Sequence, residues 1–220
     1  MGRHGMNQKG SWDSAWEKVY RGQEWGRYPP EEVVRFIARN YYHGAREKTK
    51  ILDLGCGTGA VSWFIAREGF RAHGIDGSHT AVSLAKKRLK EEKLKAEFSV
   101  GDIAALPYPD NYFDCIVDVN SIQHNNKTGI QRILRETWRV LKPGGRLFSI
   151  VVSAKSKLNP ASNPFSSKGN VTFFSERDLG MFRLFQEVTV ETSTRTDRGN
   201  TLVHYIVTGK KGNKRSAARQ

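Results

Sequence analysis

Cysteine is scarce in this 220-residue chain, which has only Cys56 and Cys115. Two thiols are too few for a disulfide framework or a tetrahedral zinc site, so we predict no metal centre and expect both cysteines to be small buried side chains. Long apolar runs are also missing, since no stretch approaches the roughly 20 residues that cross a bilayer. The first ten residues lack the apolar segment of a secretory signal. We therefore expect a cytoplasmic protein with no membrane partner.

Acidic residues are the other shortage, with 22 Asp and Glu against 36 Lys and Arg and a formal net charge of +14. Such an excess is compatible with nucleic-acid binding. It is spread, however, over a predicted helix at residues 80–94 and over a basic tail at 210–220, which has no acids and is expected to be disordered. A solvated helix face with a flexible end and a phosphate-binding surface both stay open as explanations. Nucleic acid therefore remains a second partner class.

Short apolar strands alternate with helical segments through the middle of the chain. This alternation predicts a doubly wound, mostly parallel α/β sheet with helices on both faces. The predicted strands cover residues 51–54, 71–76, 96–100, 112–119 and 146–152. After them come a polar loop, a short helix at 176–185 and two extended segments at 186–194 and 202–208. No helix separates these two segments, so they predict an antiparallel pair at one sheet edge.

The domain organisation follows from the same patterns. Residues 11–48 show helical spacing of apolar side chains and predict a helical N-terminal cap. We expect a single domain over residues 11–209, made of this cap, a core at 49–152 and a C-terminal part at 153–209. The polar ends, residues 1–10 and 210–220, are expected to be disordered.

The strongest local signal is the sequence DLGCGTG at residues 53–59, directly after a predicted strand and directly before a predicted helix. Glycines at such a turn let the backbone come close to a ligand, and the helix behind them offers free N–H groups. The same sequence also suits a tight strand–helix connection with no ligand. On its own the turn is a weak indication of a binding site.

Two further acids, Asp76 and Asp102, follow the second and third predicted strands. Parallel strands bring their carboxyl ends to one crevice, which is where ligands bind in open α/β sheets. Asp76 can there bind both hydroxyls of a ribose, and Asp102 can accept a hydrogen bond from the exocyclic amine of adenine. Each acid alone suits a helix cap or a turn. Together with Asp53 they indicate a nucleoside-containing ligand.

These motifs resemble those of the class I S-adenosylmethionine-dependent methyltransferases. The similarity runs in the family's order and spacing from residue 49 to residue 152, through ILDLGCGTG at 51–59, GIDGS at 74–78, GDI at 101–103, LPYPDNYFD at 106–114 and VLKPGGRL at 140–147. It implies a seven-stranded Rossmann-like sheet with an antiparallel last strand. It also implies S-adenosyl-L-methionine as the cofactor.

The resemblance assigns positions in the cofactor site. By it, Asp53 and the glycine turn hold the methionine part, Asp76 holds the ribose, and Asp102 with Ile103 holds the adenine. The full set of implied cofactor-binding residues is Asp53, Gly55, Cys56, Gly57, Gly59, Asp76, Gly77, Asp102, Ile103 and Asn120. A nicotinamide-dependent oxidoreductase is the rival on this fold, but its fingerprint is G-x-G-x-x-G without a preceding acid. An acid beside the turn favours a cationic methionine and repels a pyrophosphate.

The loop after the fourth strand borders the transferred methyl group in this family. Asn120 and His124 are therefore the catalytic candidates, and Gln123 and His124 are candidates for the substrate pocket. His124 can act as a general base because imidazole titrates near neutral pH, although a capping or packing role is equally compatible. Trp25 and Tyr28 resemble part of a lid and would wall the pocket. Alternatively, these two aromatics only fix the helical cap to the sheet.

Three functions are compatible with the predicted fold. The caps at both ends of the core favour a methyltransferase that acts on a small molecule. The basic charge keeps an RNA or protein methyltransferase as an alternative. A non-catalytic module that binds the cofactor is the third. Neither the methyl acceptor nor the oligomeric state follows from the sequence.

Overall fold

The computed structural model of the chain describes residues 14–22, 26–165 and 170–212. Within these residues seven strands form one sheet. The strands are β1 (Lys50–Leu54), β2 (Arg71–Asp76), β3 (Ala96–Val100), β4 (Phe113–Val119), β5 (Leu141–Val152), β6 (Gln186–Asp197) and β7 (Asn200–Lys210). Their order across the sheet is β3-β2-β1-β4-β5-β7-β6.

Five α-helices accompany the strands in the described part of the chain. They are α1 (Ala15–Gly22), α2 (Glu31–Tyr41), α3 (Ala60–Arg67), α4 (His79–Glu91) and α5 (Lys127–Val140). Local capping sets where two of them begin. The Ser78 hydroxyl accepts a hydrogen bond from the first turn of α4, and the Asn126 side chain does the same for α5. Such caps satisfy backbone N–H groups that the helix itself leaves unpaired.

Strand direction divides the sheet into two parts. The first five strands run parallel to one another, whereas β7 lies between β5 and β6 and is antiparallel to both. The predicted fold class is confirmed: the protein is a doubly wound, mostly parallel seven-stranded sheet with an antiparallel last strand. The strand order reverses between β1 and β4, which opens a crevice at their carboxyl ends.

The hydrophobic core has two layers, one on each face of the sheet. Alternate residues of each central strand supply them, because successive side chains of a strand point to opposite faces. Leu52 and Ile116 pack towards α5 on one face, while Ile51 and Val117 pack towards α2 and α3 on the other. The layers hold the central strands rigid and fix the positions of the loops at their carboxyl ends.

The largest differences from the predicted element boundaries lie in the second half of the chain. β5 begins at Leu141 rather than at residue 146, because Leu141 pairs with Phe113 before a bulge moves the register to Arg146 opposite Cys115. The segment predicted as a helix at 176–185 is a shorter 3₁₀ helix at Asp178–Leu184. The last two strands are longer than predicted and meet at a two-residue turn at 198–199, because their pairing continues to the tip.

The described structure continues past residue 209, which was the predicted end of the domain. Lys210 is part of β7, and Lys211 is buried. The Lys211 ammonium donates hydrogen bonds to the Asn111 side chain at 2.8 Å and to the Leu141 carbonyl at 2.8 Å, and it lies over the Trp138 ring. The ordered contacts therefore reach two residues beyond 209, because Lys211 is anchored against α5 and β5.

The described part of the chain has no helix that is both long and apolar enough to span a membrane. The same residues include no group of three or more His, Cys, Asp or Glu side chains arranged to hold a metal ion. Cys56 and Cys115 are both buried, and neither forms a disulfide.

Candidate active site

A cavity of about 520 Å³ opens at the carboxyl ends of β1, β2 and β4, where the strand order reverses. The glycine turn at residues 55–59 forms its floor. Loops after β2, β3 and β4 line its sides, and α1 and the β6–β7 hairpin add further walls. Because this crevice is the usual ligand position in open α/β sheets, the cavity is the candidate active site.

Two glycines of the turn are required by its geometry. Gly55 and Gly57 have left-handed backbone conformations, with φ of 72° and 50°. A Cβ atom on Gly57 would lie 2.9 Å from the Tyr20 hydroxyl, and one on Gly55 would collide with the Ser121 side chain. Glycine alone tolerates both the conformation and the close approach. The turn is therefore pressed between α1 and the loop after β4.

The backbone N–H groups of the turn are largely engaged by β2. Those of Gly55 and Cys56 both donate to the Ile75 carbonyl, and that of Gly57 donates to the Asp76 carboxylate at 2.9 Å. These three donors of the turn are engaged, and the free N–H groups predicted for the helix behind the turn belong to the start of α3 instead. A bound phosphate needs such donors, so the turn does not suit a pyrophosphate.

Asp53 lies at the end of β1 and lines the cavity floor. One of its carboxylate oxygens accepts hydrogen bonds from the Ser62 backbone N–H at 2.8 Å and hydroxyl at 2.7 Å. Burial is the main reason that the pKa of Asp53 is raised to about 7, with the two Ser62 hydrogen bonds opposing the shift and the nearby charges of Asp76 and Asp118 adding to it. Removing a carboxylate from water in this way makes a cationic partner favourable.

Asp76 lies at the end of β2, and backbone donors on both sides hold its carboxylate. Gly57 N–H donates to one oxygen and Ser78 N–H to the other, each at 2.9 Å. Each oxygen retains a second lone pair, so the group can still accept hydrogen bonds from a ligand. Burial raises the pKa of Asp76. Gly77, the next residue, also lines the cavity.

Asp102 and Ile103 follow β3 and line the same side of the cavity. The Asp102 side chain is half-buried, and one of its oxygens accepts a hydrogen bond from the Ala104 N–H at 2.8 Å. Ile103 is buried and belongs to the hydrophobic core. An acid beside an apolar side chain suits a flat ring that carries an amine at its edge. The structure thus brings together the three acids that the sequence singled out.

The loop after β4 is organised by Asp118, which sequence analysis missed. Asp118 is fully buried and accepts hydrogen bonds from the Ser121 N–H, the Ile122 N–H and the Ser149 hydroxyl. Its burial raises its pKa to about 6. The missed signal is an acid inside an otherwise apolar strand, in the sequence IVDV at 116–119. Such an acid must have several donors around it.

Asn120 occupies a strained position at the start of this loop. Its φ is 59°, in the left-handed region that non-glycine residues seldom adopt. Its side-chain oxygen is buried at the cavity and has no hydrogen-bond partner among the described residues. An unpaired buried oxygen is costly, so the site favours a ligand that brings a donor to it.

Gln123 and His124 belong to a short 3₁₀ helix at Ile122–His124, and both line the cavity. Gln123 is almost fully buried, and its side-chain oxygen accepts a hydrogen bond from the Val152 N–H at 2.7 Å. It thereby ties the loop to the end of β5. The His124 ring makes an edge-to-face contact with Trp16 of α1, with 4.6 Å between ring centroids.

The first helix closes the cavity from above. Trp16 and Tyr20 of α1 line it, and burial raises the pKa of the Tyr20 phenol. Polar contacts dock α1 on α4: Glu17 accepts a hydrogen bond from the His79 N–H at 2.8 Å. Trp16 and Tyr20 belong to the helical spacing of apolar side chains at residues 11–48, and no local pattern shows which surface those side chains cover.

Of the two aromatics predicted to form a lid, Tyr28 is among the described residues and Trp25 is not. Tyr28 lines the cavity near its mouth, but it is 72% exposed and makes an edge-to-face contact with Trp63 on α3. It can shield one edge of the site without enclosing it. Trp25 lies outside the described residues.

Residues from the C-terminal third complete the cavity, and sequence analysis did not find them. Phe165 comes from the loop after β5, while Arg195 and His204 come from β6 and β7. Burial lowers the pKa of His204, against an opposing effect from nearby Glu32. No signal in the sequence indicates these residues, because they reach the site only through the antiparallel pairing of β7 with β5.

These groups fit the cofactor that the sequence motifs imply. Buried carboxylates at Asp53 and Asp76 suit a ligand with positive charge and hydroxyl groups, and the unpaired oxygen of Asn120 suits a donor. The engaged N–H groups of the glycine turn leave little to bind a phosphate. S-adenosylmethionine has an ammonium, a sulfonium and a ribose, and it carries no phosphate.

Comparison with known proteins agrees with this geometry. Residues 51–145 match the family described as methyltransferase domains. Over 136 residues the chain is 36% identical to the ubiquinone/menaquinone biosynthesis C-methyltransferase UbiE of Yersinia enterocolitica, a match that covers 56% of this chain and 50% of that protein. The same figures hold for the UbiE protein of Yersinia pestis. The chain thus spans about half the length of the curated relatives it matches.

Solved structures extend the similarity over most of the chain. A methyltransferase from Methanosarcina mazei, described as S-adenosylmethionine-dependent, is 25% identical with a TM-score of 0.66, and the match covers 81% of this chain and 98% of that one. Phosphoethanolamine N-methyltransferase 2 of Haemonchus contortus, in complex with S-adenosyl-L-methionine, has a TM-score of 0.70. It is 17% identical, with 90% of this chain and 56% of that chain covered, so it supports the fold alone.

Proposed function

We propose that this chain, which carries a class I S-adenosylmethionine-dependent methyltransferase domain over residues 51–145, transfers a methyl group from S-adenosyl-L-methionine to a small-molecule acceptor. The observation that carries the proposal is the cavity at the strand-order reversal, where Asp53, Asp76 and Asp102 converge around the glycine turn. The three acids follow β1, β2 and β3 in turn. The cofactor has its methionine, ribose and adenine parts in the same order, so each acid can bind one part.

The cofactor roles proposed for these residues follow from their positions. Asp53 would face the methionine ammonium across the turn formed by Gly55, Cys56, Gly57 and Gly59. Asp76 would accept hydrogen bonds from the ribose hydroxyls, with Gly77 leaving space beside them. Asp102 would accept one from the adenine amine, while Ile103 packs on the ring face. Asn120 would meet a cofactor donor with its unpaired oxygen.

The bound cofactor supplies a methyl group already activated by the positive sulfur. The remaining work of the protein is to align the acceptor and exclude water. Trp16 and Tyr20 cover the cavity and keep solvent out. His124 lies beside them and would take a proton from an acceptor that must lose one, and Asn120 would help to orient that acceptor.

A small-molecule acceptor is supported by the shape of the site. The cavity has a volume of about 520 Å³ and is lined by α1 and the β6–β7 hairpin as well as by the cofactor loops, so the space beside the cofactor suits a compact molecule. The UbiE relatives of Yersinia are named as C-methyltransferases of ubiquinone and menaquinone biosynthesis. The chain spans half of their length, so the relationship supports the acceptor class and does not identify the acceptor.

An RNA or protein acceptor is the second candidate, and the net charge of +14 favours it. Phosphate contacts from Lys and Arg give sequence-independent affinity that falls steeply with salt. We also propose the cytoplasm as the site of action, because Cys56 and Cys115 are both free, as is usual in a reducing compartment.

A screen for cofactor consumption tests the proposed function. The protein is incubated with S-adenosylmethionine and, separately, with pools of metabolites, tRNA and protein, and formation of S-adenosylhomocysteine is measured. We expect turnover with a fraction of the metabolite pool, and much slower turnover after Asp76→Ala when the cofactor is kept at low-micromolar concentration. Turnover with tRNA or protein alone would favour the second candidate. Tight cofactor binding with no turnover in any pool would identify a non-catalytic binding module.

A further inference from the structure

The cavity has opposite charge at its two ends. Asp53, Asp76 and Asp102 follow β1, β2 and β3, on one side of the strand-order reversal. Arg195 and His204 line the cavity from β6 and β7, on the other side and beyond β5. Arg195 is the one Lys or Arg among the described residues that line it. The acidic end fits the cationic cofactor, and the basic end is left for the acceptor.

Arg195 is available to bind a ligand. It forms an ion pair with Asp197, at 3.9 Å between the guanidinium and carboxylate, and the side chains of Arg195 and Asp197 are 74% and 51% exposed. An ion pair this long and this exposed contributes little to stability. Arg195 can therefore leave Asp197 and pair with an anionic ligand. A guanidinium can form two parallel hydrogen bonds to a carboxylate or phosphate, which strengthens such an exchange.

One acid, Glu32, lies near this end of the cavity. Glu32 of α2 accepts a hydrogen bond from the Ser193 hydroxyl at 3.2 Å, and Glu32 is close enough to His204 to affect its pKa. Burial lowers the pKa of His204 below its usual value, so this imidazole is neutral at pH 7 and can donate or accept a hydrogen bond. With His204 neutral, Arg195 is the cation at this end of the cavity.

Apolar side chains also line the cavity. Among them are Phe165, Leu202, which pairs with Arg195 across the hairpin, and Trp16, which contacts His124. Phe165 packs edge-to-face on Phe173, with 5.4 Å between ring centroids, which holds its ring in place. The space between the cofactor end and Arg195 therefore suits an apolar or aromatic body.

We propose that the methyl acceptor is an organic anion, with an apolar or aromatic body between Phe165, Leu202 and Trp16 and a carboxylate or phosphate paired with Arg195. This inference rests on the proposed function, because it assigns the acidic end to the cofactor. The net charge of +14 also attracts a small anion over a distance and raises its rate of encounter. Arg195 sets the specificity and takes no part in the chemical step.

Two fluorescent probes with one aromatic body test the role of charge. 8-Anilino-1-naphthalenesulfonate carries a sulfonate, and N-phenyl-1-naphthylamine has the same rings without it. With S-adenosylhomocysteine present, we expect the sulfonate probe to bind about tenfold more tightly than the neutral probe. Arg195→Gln should abolish this preference and leave binding of the neutral probe unchanged. Arg195→Lys should retain part of it.

The matched control is Arg198→Asn, at the tip of the same hairpin. Arg198 does not line the cavity, and Asn tolerates its φ of 48°. This variant should keep the full preference for the sulfonate probe. Displacement then distinguishes the two anion types: benzoate and phenyl phosphate are each titrated against the bound probe, with methyl benzoate as the neutral comparison. The more effective competitor identifies the group that Arg195 prefers.

Three results would overturn the proposal. They are an unchanged sulfonate preference in Arg195→Gln, an equal loss of preference in Arg198→Asn, and displacement by methyl benzoate as effective as that by benzoate. Titration of S-adenosylhomocysteine into each variant precedes the probe experiment. Failure of the wild-type protein to bind it would contradict the proposed function itself, whereas normal binding with no charge preference contradicts only the assignment of the acceptor.

Discussion

At the scale of single residues, the site is dominated by carboxylates removed from water. Burial raises the pKa of Asp53 to about 7 and that of Asp118 to about 6, and it also raises that of Asp76. Asp118 is surrounded by three donors, while Asp53 has two from a single residue. A cationic ligand beside Asp53 would restore part of the stabilisation that its charge has lost.

Asp53 should couple cofactor binding to proton release. The carboxyl group has a pKa of about 7 in the free protein, and a bound ammonium favours its ionised form. Affinity for S-adenosylhomocysteine should therefore fall as the pH drops below 7, by up to about tenfold per unit. Calorimetry in two buffers of different ionisation enthalpy should show net proton release at pH 6.

Asp53→Asn is the control, because its amide cannot titrate. Its affinity should be lower at pH 8 and nearly constant between pH 5.5 and 8. A wild-type affinity that stays flat over this range would show that Asp53 does not face the cofactor ammonium.

His124 should matter for turnover if the acceptor loses a proton. With the acceptor found by the consumption screen, His124→Ala is expected to lower turnover by about 10²–10⁴-fold with cofactor affinity almost unchanged. His124→Asn should be nearly as poor, because an amide cannot take the proton. Turnover against pH should also lose the step between about pH 6 and 7 in both variants.

The packing of His124 against Trp16 supplies the competing explanation. If the ring only supports α1, both substitutions would lower the melting temperature, and residual turnover would follow the folded fraction. A stable His124→Ala protein with full turnover and an unshifted pH profile would remove His124 from catalysis. Asn120 would then be the better candidate for positioning the acceptor, since Tyr28 is largely exposed.

At the scale of elements, both catalytic candidates lie in the loop after β4. Asp118 fixes the conformation of that loop by accepting hydrogen bonds from its backbone. Asp118→Ala would leave two backbone N–H groups and the Ser149 hydroxyl without their acceptor. We expect a loss of about 2–4 kcal/mol in the free energy of unfolding, measured by urea denaturation.

Asp118→Asn is the matched variant for this test. Its side-chain oxygen can still accept from the loop, and its amide can donate to the Ser149 hydroxyl. It should recover more than half of the lost stability. Equal stability of Asp118→Ala and the wild-type protein would show that the loop does not depend on this carboxylate.

The elements also show which features a sequence can predict. The first strand, the glycine turn and α3 were predictable, because turn residues and apolar spacing are local. The early start of β5 was not, since it depends on Leu141 pairing with Phe113 across a bulge. Arg195 and His204 were missed for a related reason: a long antiparallel pairing carries them to the cavity from a strand that shows no motif.

At the scale of the whole molecule, the net charge of +14 is larger than the cavity explains, because Arg195 is the one Lys or Arg among the described residues that line the cavity. Lys211 accounts for one cation of the C-terminal segment, because it is buried against Asn111, Leu141 and Trp138. The basic residues beyond it, Lys214, Arg215 and Arg219, remain candidates for contact with nucleic acid.

Two truncations separate these roles. Ending the chain after Gly212 should leave the melting temperature and cofactor affinity unchanged. Ending it after Gly209 should lower the melting temperature by about 2–6 °C, because the three hydrogen bonds of the Lys211 ammonium are lost. If RNA is the acceptor, ending the chain after Gly212 should also flatten the salt dependence of RNA binding. Equal melting temperatures for the two truncations would contradict the anchoring role of Lys211.

The central claim is that the cavity at the strand-order reversal binds S-adenosylmethionine. Calorimetric titration of S-adenosylmethionine, S-adenosylhomocysteine and NAD into the same protein tests it most directly. We predict low-micromolar binding of the first two and none of NAD, with Asp76→Ala weakening the binding by roughly 2–4 kcal/mol while its circular dichroism spectrum stays that of the folded protein. Binding of NAD without S-adenosylmethionine, or unchanged affinity in a folded Asp76→Ala protein, would contradict the account.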